Sequence, residues 1–347
     1  SEFVQYDTST MTTIATLPKV ELHCHIEGSA PPALVRRLAA RNGIAMPEAL
    51  FADEHRFAWS DFNSFLRAYD GASSAMRRPQ DYRDVIYDYL RRCAAEGAIY
   101  VELFTSPEHA LDVGMDYAAQ LEALAAGIDA AEKEFGIVGR LIAICLRHRG
   151  PDRALAMARL MLDQRHPYVV GFGMAGDELR HAPADFAPAY RLVADAGYPC
   201  TAHAGEVGGA DSVRATIAAL PVTRIGHGVR ASEDPRLLEE IARRGIVLEV
   251  CPGSNVALGV YPDLAGHPLR RLIDAGCKVT LNSDDPPYFD TSIGREYQMA
   301  ADAFGLGAQD LLRITRTAVD AAFADADTKR RLSERVAAYT KSNKPSW

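Results

Sequence analysis

The feature that most constrains the fold is a regular alternation of short β-branched segments with longer segments rich in Ala, Leu and Arg. Short runs of Val, Ile, Thr and aromatic residues are typical of buried strands, whereas the stretches between them have helical spacing. Eight such runs predict strands over residues 20–25, 98–104, 140–146, 168–174, 199–204, 223–227, 246–252 and 277–283.

The segments between the predicted strands support the same alternation. Apolar residues over 31–43, 121–136 and 234–245 recur at helical spacing, and the last two segments end in Gly136 and Gly245. Glycine at that position supplies the left-handed conformation that often ends a helix. Eight strand–helix units in one chain predict an α/β protein, a closed (β/α)8 TIM-type barrel with extra helices inserted after the first strand.

A doubly wound open sheet is the main alternative fold. Nucleotide-binding sheets of that kind carry a glycine-rich loop after the first strand, and neither GxGxxG nor GxxxxGK[ST] occurs there. The connection over residues 26–97 is unusually long and contains the aromatic-rich sequence FAWSDFNSFLRAYD. In a barrel this insertion would lie on the C-terminal face, where it can cover a site as a lid.

The domain organisation is predicted to be simple. Residues 1–16 include SEFVQYDTST ahead of Met11, show no pattern, and are predicted to be disordered or derived from an expression vector. Residues 17–347 are predicted to form a single barrel domain.

Composition restricts the function classes. The chain has 347 residues, of which 48% are hydrophobic, and its net charge is −8 with no dense basic patch, so nucleic-acid binding is not expected. No apolar stretch approaches the ~20 residues of a membrane span, and no signal peptide is recognised. Six cysteines without a CxxC pair predict free thiols in a reducing compartment, hence a cytoplasmic protein.

A group of metal-ligating residue types lies at the predicted strand ends. His23 and His25 end the first strand, and side-chain alternation directs both to the same face, away from Cys24. His203 ends the fifth strand and Asp284 the eighth, which barrel closure brings beside the first. Imidazole nitrogens and a carboxylate suit one Zn²⁺ ion, which would lower the pKa of a bound water toward ~7.

Three further polar residues lie at these strand ends. Glu206 follows His203 by three residues and is a candidate general acid or base. His227, between two glycines, is a candidate to orient or deprotonate the water. Asp285 directly follows Asp284 and is predicted to exchange a hydrogen bond with a substrate. Each of these residues alone is also explained as a helix-start or turn residue.

The motifs in this order resemble the adenosine deaminase family of the amidohydrolase superfamily. The matching segments are LPKVELHCHIEGS, VVGFGMAGDE, TAHAGE, RIGHGVR and LNSDDP, over about residues 17–300. The resemblance implies a metal-dependent deaminase barrel that removes the 6-amino group of a purine, with one zinc per chain. The implied zinc ligands are His23, His25, His203 and Asp284.

The resemblance also implies the remaining roles. Glu206 matches the residue that protonates N1 of the purine, and His227 matches the histidine that activates the water and stabilises developing charge. Asp285 matches the carboxylate that meets N7. The implied substrate contacts, including apolar groups from a helical flap, are His25, Glu27, Gly176, Asp285, Phe62 and Phe65.

The choice of substrate rests on a few positions. Adenosine deaminases commonly carry Asp where this chain has Glu27, and the HIEG form also resembles adenine deaminases. AGDE and GHG are more similar to the adenosine branch, so adenosine or 2′-deoxyadenosine is the predicted substrate, with purine salvage as the context. The alternatives are adenine or an N6-substituted adenine and, least favoured, a non-catalytic nucleoside-binding protein. The fourth strand contains no lysine, which disfavours the superfamily branches that use two metals bridged by a carbamylated lysine.

Overall fold

A computed structural model describes residues 14–343, and its core is an eight-stranded parallel sheet with strand order β1 to β8. The strands are β1 (Lys19–Glu21), β2 (Ala98–Thr105), β3 (Val138–Leu146), β4 (Val169–Ala175), β5 (Cys200–Ala204), β6 (Val222–His227), β7 (Val247–Val250) and β8 (Lys278–Leu281). Each strand pairs with its neighbours in the chain, as expected for strand–helix units wound in one direction.

Helices cover the outside of this sheet. They are α1 (Pro32–Arg41), α2 (Phe62–Ser73), α3 (Pro79–Ala95), α4 (Pro107–Asp112), α5 (Tyr117–Phe135), α6 (Pro151–Asp163), α7 (Ala187–Asp195), α8 (Ala210–Ala219), α9 (Pro235–Arg244), α10 (Pro252–Ala257), α11 (Leu269–Asp274), α12 (Pro286–Phe289), α13 (Ile293–Phe304), α14 (Ala308–Ala321) and α15 (Ala326–Ser342). Short 3₁₀ turns occur at Glu48–Leu50, Arg147–Arg149, Pro183–Phe186 and Val229–Glu233.

The ends of β1 and β8 bring the two edges of the sheet together. Asn282 accepts the Leu22 N–H through Oδ1 at 2.8 Å, and the backbone of Asp284 exchanges hydrogen bonds with His23 and His25, both at 3.1 Å. These contacts form a parallel bridge between Cys24 and Asp284. The predicted (β/α)8 barrel is therefore confirmed, and its edges meet at residues predicted to bind metal.

Apolar packing lies mainly between the sheet and the helices. The large core cluster combines strand residues such as Leu141 and Leu248 with helix residues such as Leu124 and Leu238. A smaller apolar cluster lies around Phe104 and contains Ile142, Ile144, Leu146 and Ala175. Burial of both faces explains why the strands are nearly continuous apolar runs in the sequence.

The long insertion after β1 contains α1, a 3₁₀ turn and α2 before α3 returns the chain to β2. We call residues 57–73, which include α2, the flap. Asp61 and Ser64 form a capping box that starts α2, because each side chain bonds the backbone N–H of the other residue. The flap packs on α12: Trp59 donates to the Tyr288 carbonyl at 2.9 Å, and the Phe57 and Tyr288 rings stack at 4.4 Å.

The predictions for the chain ends are only partly covered. Residues 1–13, most of the segment predicted to be disordered or vector-derived, lie outside the described residues. Residues 14–16 are helical, and Ile14 is buried in the core, three residues before the predicted start of the domain. Within residues 14–343, no helix combines the length and apolar character needed to cross a bilayer. All six cysteines are buried and unpaired.

Candidate metal centre and active site

Four predicted ligands meet at the C-terminal mouth of the barrel. One ligand atom from each of His23, His25, His203 and Asp284 lies within 4.8 Å of the others. We call these four residues the ligand ring. Nε2 of His25 is 3.3 Å from Nε2 of His203, and Oδ1 of Asp284 is 3.4 Å from Nε2 of both His23 and His25.

The hydrogen bonds behind the ring direct nitrogen lone pairs inward. Nδ1 of His203 can only donate to the Met174 carbonyl at 2.8 Å, which leaves its Nε2 as an acceptor. Nδ1 of His23 lies 3.0 Å from Oε1 of Glu249, and Nε2 of His23 is buried without a hydrogen-bond partner. Such outer partners fix the ring tautomer of metal-binding histidines. Converging acceptors of this kind fit a cation.

Electrostatics support the same conclusion. Burial disfavours a charged His23, yet the adjacent Asp284 and Glu249 outweigh it and raise the pKa of His23 to about 10. Burial opposes ionisation of Asp284, but bonds with His23 and His25 hold its pKa well below the usual range. The centre therefore stabilises positive charge, which a divalent ion would supply.

A second set of potential ligands overlaps the ring. His23, His227, Cys251 and Asp284 also offer atoms within 4.8 Å of one another. Burial raises the pKa of the Cys251 thiol well above its usual range, and only the thiolate is a good ligand. The first set, which contains the oriented lone pair of His203, is the better site.

Sequence reasoning missed the charged residues below the ring. Glu249 Oε2 accepts from Nε of Arg224 at 2.6 Å, and Nη1 of Arg224 pairs with Glu102 at 2.8 Å. All three are buried inside apolar strands. The signal was present, because a charged residue in the middle of an apolar strand needs a buried partner. Glu102 lies within β2 and has Arg224 as its ion-pair partner.

Glu206 and His227 lie beside the ring. Nε2 of His227 is 3.5 Å from Oε2 of Glu206 and 3.8 Å from Oδ2 of Asp284. Burial, together with the charges of Asp284 and Glu178, raises the pKa of Glu206 to about 8. Burial also lowers the pKa of His227 to about 3. At neutral pH the site therefore holds a carboxylic acid next to a neutral imidazole.

A hydrogen-bond chain behind His227 determines which of its nitrogens carries the proton. The Leu269 N–H donates to Nδ1 of His267 at 3.1 Å, so a neutral His267 carries its proton on Nε2. Burial lowers the pKa of His267 to about 4, which keeps its imidazole neutral. His267 Nε2 then donates to Asn255 Oδ1 at 3.0 Å, and the Asn255 amide donates to Nδ1 of His227 at 3.2 Å. His227 therefore presents an Nε2–H group.

Two ring-side residues have unusual backbone geometry. His227 and Asp284 have φ values of 61° and 64°, in the left-handed region that costs energy for non-glycine residues. Asp285 follows, with Oδ1 buried and unpartnered; burial and the charge of Asp284 raise its pKa well above the usual range. A Cβ at Gly28 would lie 1.7 Å from that oxygen, so only glycine fits there.

Glu27 is buried at the mouth. Its Oε1 accepts the Ser106 N–H at 3.2 Å and lies 3.7 Å from Nδ1 of His109, whereas its Oε2 has no hydrogen-bond partner. A buried unpartnered carboxylate oxygen is costly unless a ligand satisfies it. Oε2 of Glu27 is therefore an acceptor still available to a hydrogen-bond donor.

One cavity of about 180 Å³ connects these groups. It is lined by every predicted site residue except the fully buried His23, and by Leu66 and Tyr69 of the flap. Gly176 belongs to the lining, and a Cβ there would lie 2.6 Å from Nδ1 of His148. His109 and His148 also line the cavity, and His267 lies behind His227 through Asn255; none of the three was predicted as a site residue.

Comparison with known proteins identifies the family. A family model described as adenosine deaminase matches residues 18–339. The chain belongs to the adenosine deaminase family. The resemblance carried by the sequence motifs, and with it membership of the amidohydrolase superfamily, is confirmed.

Individual relatives cover nearly the whole chain. The adenine deaminase of Rhizobium meliloti (strain 1021) is 47% identical over 318 residues, which span 92% of this chain and 98% of the relative. The crystal structure of adenine deaminase from Arthrobacter aurescens matches with a TM-score of 0.86 at 31% identity, covering 94% of this chain and 99% of that one. An amidohydrolase from Burkholderia ambifaria with bound Zn matches with a TM-score of 0.87 at 29% identity, covering 98% and 96%.

These relationships establish the reaction class. The chain is a hydrolytic deaminase of the group that acts on C–N bonds in cyclic amidines. The predicted enzyme class is therefore confirmed.

Proposed function

We propose that this enzyme hydrolyses adenine, the free base, to hypoxanthine and ammonia. Relatives at 45–48% identity carry the name adenine deaminase, as does the matching Arthrobacter structure. This proposal replaces adenosine, the substrate favoured by the AGDE and GHG motifs, with the alternative that the HIEG motif raised.

Glu27 is the observation that carries the choice of substrate. Its Oε2 is buried without a partner, and Glu27 lines the cavity together with His25 and Asp285. A free purine base has an N–H group in its imidazole ring, whereas in a nucleoside that nitrogen is bonded to a sugar carbon and cannot donate. The buried oxygen therefore gains a partner from the base and would be left unsatisfied against the sugar carbon.

We propose that the ligand ring holds one zinc ion. The fit rests on the inward lone pair of His203, the unpartnered Nε2 of His23 and the ionised Asp284. When bound, the ion acts as a Lewis acid that lowers the pKa of a water.

Glu206 is positioned to move the protons of the reaction. As a carboxylic acid it donates its proton to N1 of the purine, which lowers the electron density at C6 and favours attack by water. The resulting carboxylate accepts a proton from the attacking oxygen and passes it to the exocyclic nitrogen. The C6–N bond then breaks, ammonia leaves with the bonding pair, and the last oxygen-bound proton returns to Glu206.

The other groups orient the reactants. His227 donates Nε2–H toward the attacking oxygen and stabilises the charge that develops on it, a role that its neutral tautomer supports. Asp285, held protonated by burial, donates to N7 of the ring. The backbone N–H of Gly176 is proposed to meet N3, and Phe62 and Phe65 of the flap cover the base. Six free buried thiols support the proposed cytoplasmic location.

Initial rates on four substrates test the proposal. Zinc-loaded enzyme is assayed with adenine, adenosine, 2′-deoxyadenosine and N6-methyladenine, and kcat/KM is expected to favour adenine over both nucleosides by about 100-fold or more. A preference for adenosine would contradict the proposal, and so would the absence of turnover with all four compounds. Glu27→Asp should reduce the preference for adenine, with Glu122→Asp on the outer helix α5 as the matched control.

A further inference from the structure

Four consecutive backbone N–H groups after β5 converge on one carboxylate. The N–H of Gly205 donates to Oε1 of Glu178 at 2.5 Å. Those of Glu206, Val207 and Gly208 donate to Oε2 at 3.1, 2.8 and 2.9 Å. Residues 205–208 form no helix or strand of their own, so this carboxylate satisfies all four N–H groups of the turn.

The carboxylate is itself held in place. Glu178 is buried, and Ser212 donates Oγ–H to its Oε1 at 2.5 Å. A Cβ at Gly208 would lie 2.7 Å from the same oxygen, so the turn approaches Glu178 as closely as glycine allows. Hydrogen bonds to a charged acceptor are stronger than bonds between neutral groups, and Glu178 accepts several of them.

A side chain at the end of β3 holds the turn that carries Glu178. Arg147, buried at the end of β3, donates Nε to the Arg180 carbonyl and Nη2 to the His181 carbonyl, both at 2.8 Å. On the other side of the 205–208 turn, Arg230 donates to the carbonyls of Gly205 and Val207. The loops after β3, β4, β5 and β6 are thus connected through the 205–208 turn.

Of the side chains in that turn, Glu206 lines the cavity beside His227. We propose that Glu178 is a positioning residue that fixes the backbone of Glu206 so that its carboxyl group reaches the substrate ring. This inference rests on the role proposed for Glu206. Small displacements of a proton donor reduce the rate strongly, because the donor must lie within hydrogen-bond reach.

Glu178→Gln tests the inference directly. The amide replaces one acceptor oxygen with an NH₂ donor that faces backbone donors, so the turn loses part of its support. We expect kcat on adenine to fall about 10- to 100-fold, with KM within about threefold and zinc stoichiometry unchanged. Glu233→Gln is the matched control, because that carboxylate pairs with Arg230 but accepts from no N–H of the turn.

A double-mutant cycle separates positioning from a general structural role. If Glu178 acts through Glu206, Glu178→Gln should cost less than about threefold when Glu206 is already Gln. Equal costs in both backgrounds, or wild-type kcat in Glu178→Gln, would overturn the inference. Ser212→Ala provides a milder perturbation if the first variant does not fold, and it should lower kcat about two- to fivefold without changing KM. An unchanged kcat in Ser212→Ala would likewise count against the inference.

The pH profile gives a further readout. The charge of Glu178 helps to raise the pKa of Glu206, so Glu178→Gln should move the alkaline limb of kcat/KM to lower pH. A limb that does not move would show that the charge of Glu178 does not act on Glu206 and would count against the inference. Failure of wild-type enzyme on adenine would instead refute the proposed substrate, so the two failures are distinguishable.

Discussion

The ligand ring and the flap form two walls of one cavity, and they are built differently. Ring residues are at most 9% exposed, come from strand ends and are backed by Met174, Glu249 and Ser254. The flap presents Phe62 and Leu66, which are 36% and 39% exposed, from a helix held mainly by aromatic contacts with α12. The difference indicates that the wall with the reactive groups is fixed by several hydrogen bonds. The wall that encloses the cavity is held by apolar contacts and can adapt. Variants of the two walls should therefore differ in kind.

Loss of a ring histidine should have the largest effect. His203→Ala removes a ligand whose lone pair is fixed inward, so zinc should no longer bind stoichiometrically and kcat/KM should fall more than about 1,000-fold. Elemental analysis and assay under zinc excess measure both effects. His166→Ala, at a histidine outside the cavity lining, is the control. Stoichiometric zinc in His203→Ala would remove His203 from the ligand set.

Removing the proton donor should come next. Glu206→Gln should retain zinc but lose about 10²–10⁴ in rate. Because burial raises the pKa of Glu206 to about 8, its acid form is present below that pH and is lost as pH rises through it. A bound cation lowers this pKa, so the wild-type rate should decline with a midpoint at or below about pH 8. Glu206→Gln should lack this decline; its persistence there would assign it to another group.

The hydrogen-bond chain from His267 through Asn255 to His227 gives a third test, on the side of the cavity that contains the ligand ring. Asn255→Asp replaces the amide donor with an acceptor, which favours the Nδ1–H tautomer and turns the Nε2–H group away from its role. The rate should fall about 10- to 100-fold with zinc retained. ¹⁵N chemical shifts of labelled histidine report the tautomer of His227 directly. An unchanged tautomer together with an unchanged rate would contradict the proposed arrangement.

Glu249 tests the support of the ring. Glu249→Gln keeps the shape but weakens the bond that fixes Nδ1 of His23, so zinc affinity should fall about 10- to 100-fold. Competition with a chelator of known affinity measures the change. Glu240→Gln, on the surface helix α9, is the control, and equal zinc affinities in the two variants would show that Glu249 does not support the metal.

The flap should give the smallest effects. Phe62→Ala should raise KM for adenine less than about tenfold and leave kcat within about twofold. It should change the free energy of unfolding by about 0.5 kcal/mol or less, since the phenyl group of Phe62 is partly exposed. Leu111→Ala, similarly exposed but outside the cavity lining, should change neither constant. A kcat loss comparable to that of Glu206→Gln would erase the contrast between the walls.

The same contrast explains what the sequence could predict. The eight strands and the ligand ring follow from local patterns. His23 and His25 are two residues apart and so point to the same face, and motifs mark the strands that carry the other ligands, His203 and Asp284. Glu178 and Glu249 were missed because their partners lie 25 to 226 residues away in the sequence. His267 was missed because its role depends on which of its two nitrogens accepts a hydrogen bond. A charged residue within an apolar strand, such as Arg224, indicates in the sequence that a buried partner exists. The tautomer of His227 could not be predicted from the sequence, because it depends on hydrogen bonds that only the structure shows.

Anomalous diffraction from zinc-loaded crystals at the zinc absorption edge tests the central claim most directly. The account predicts one peak per chain within coordination distance of Nε2 of His23, His25 and His203 and of Oδ1 of Asp284. A peak elsewhere, or well-ordered ring residues with no peak in enzyme that turns over substrate, would contradict it.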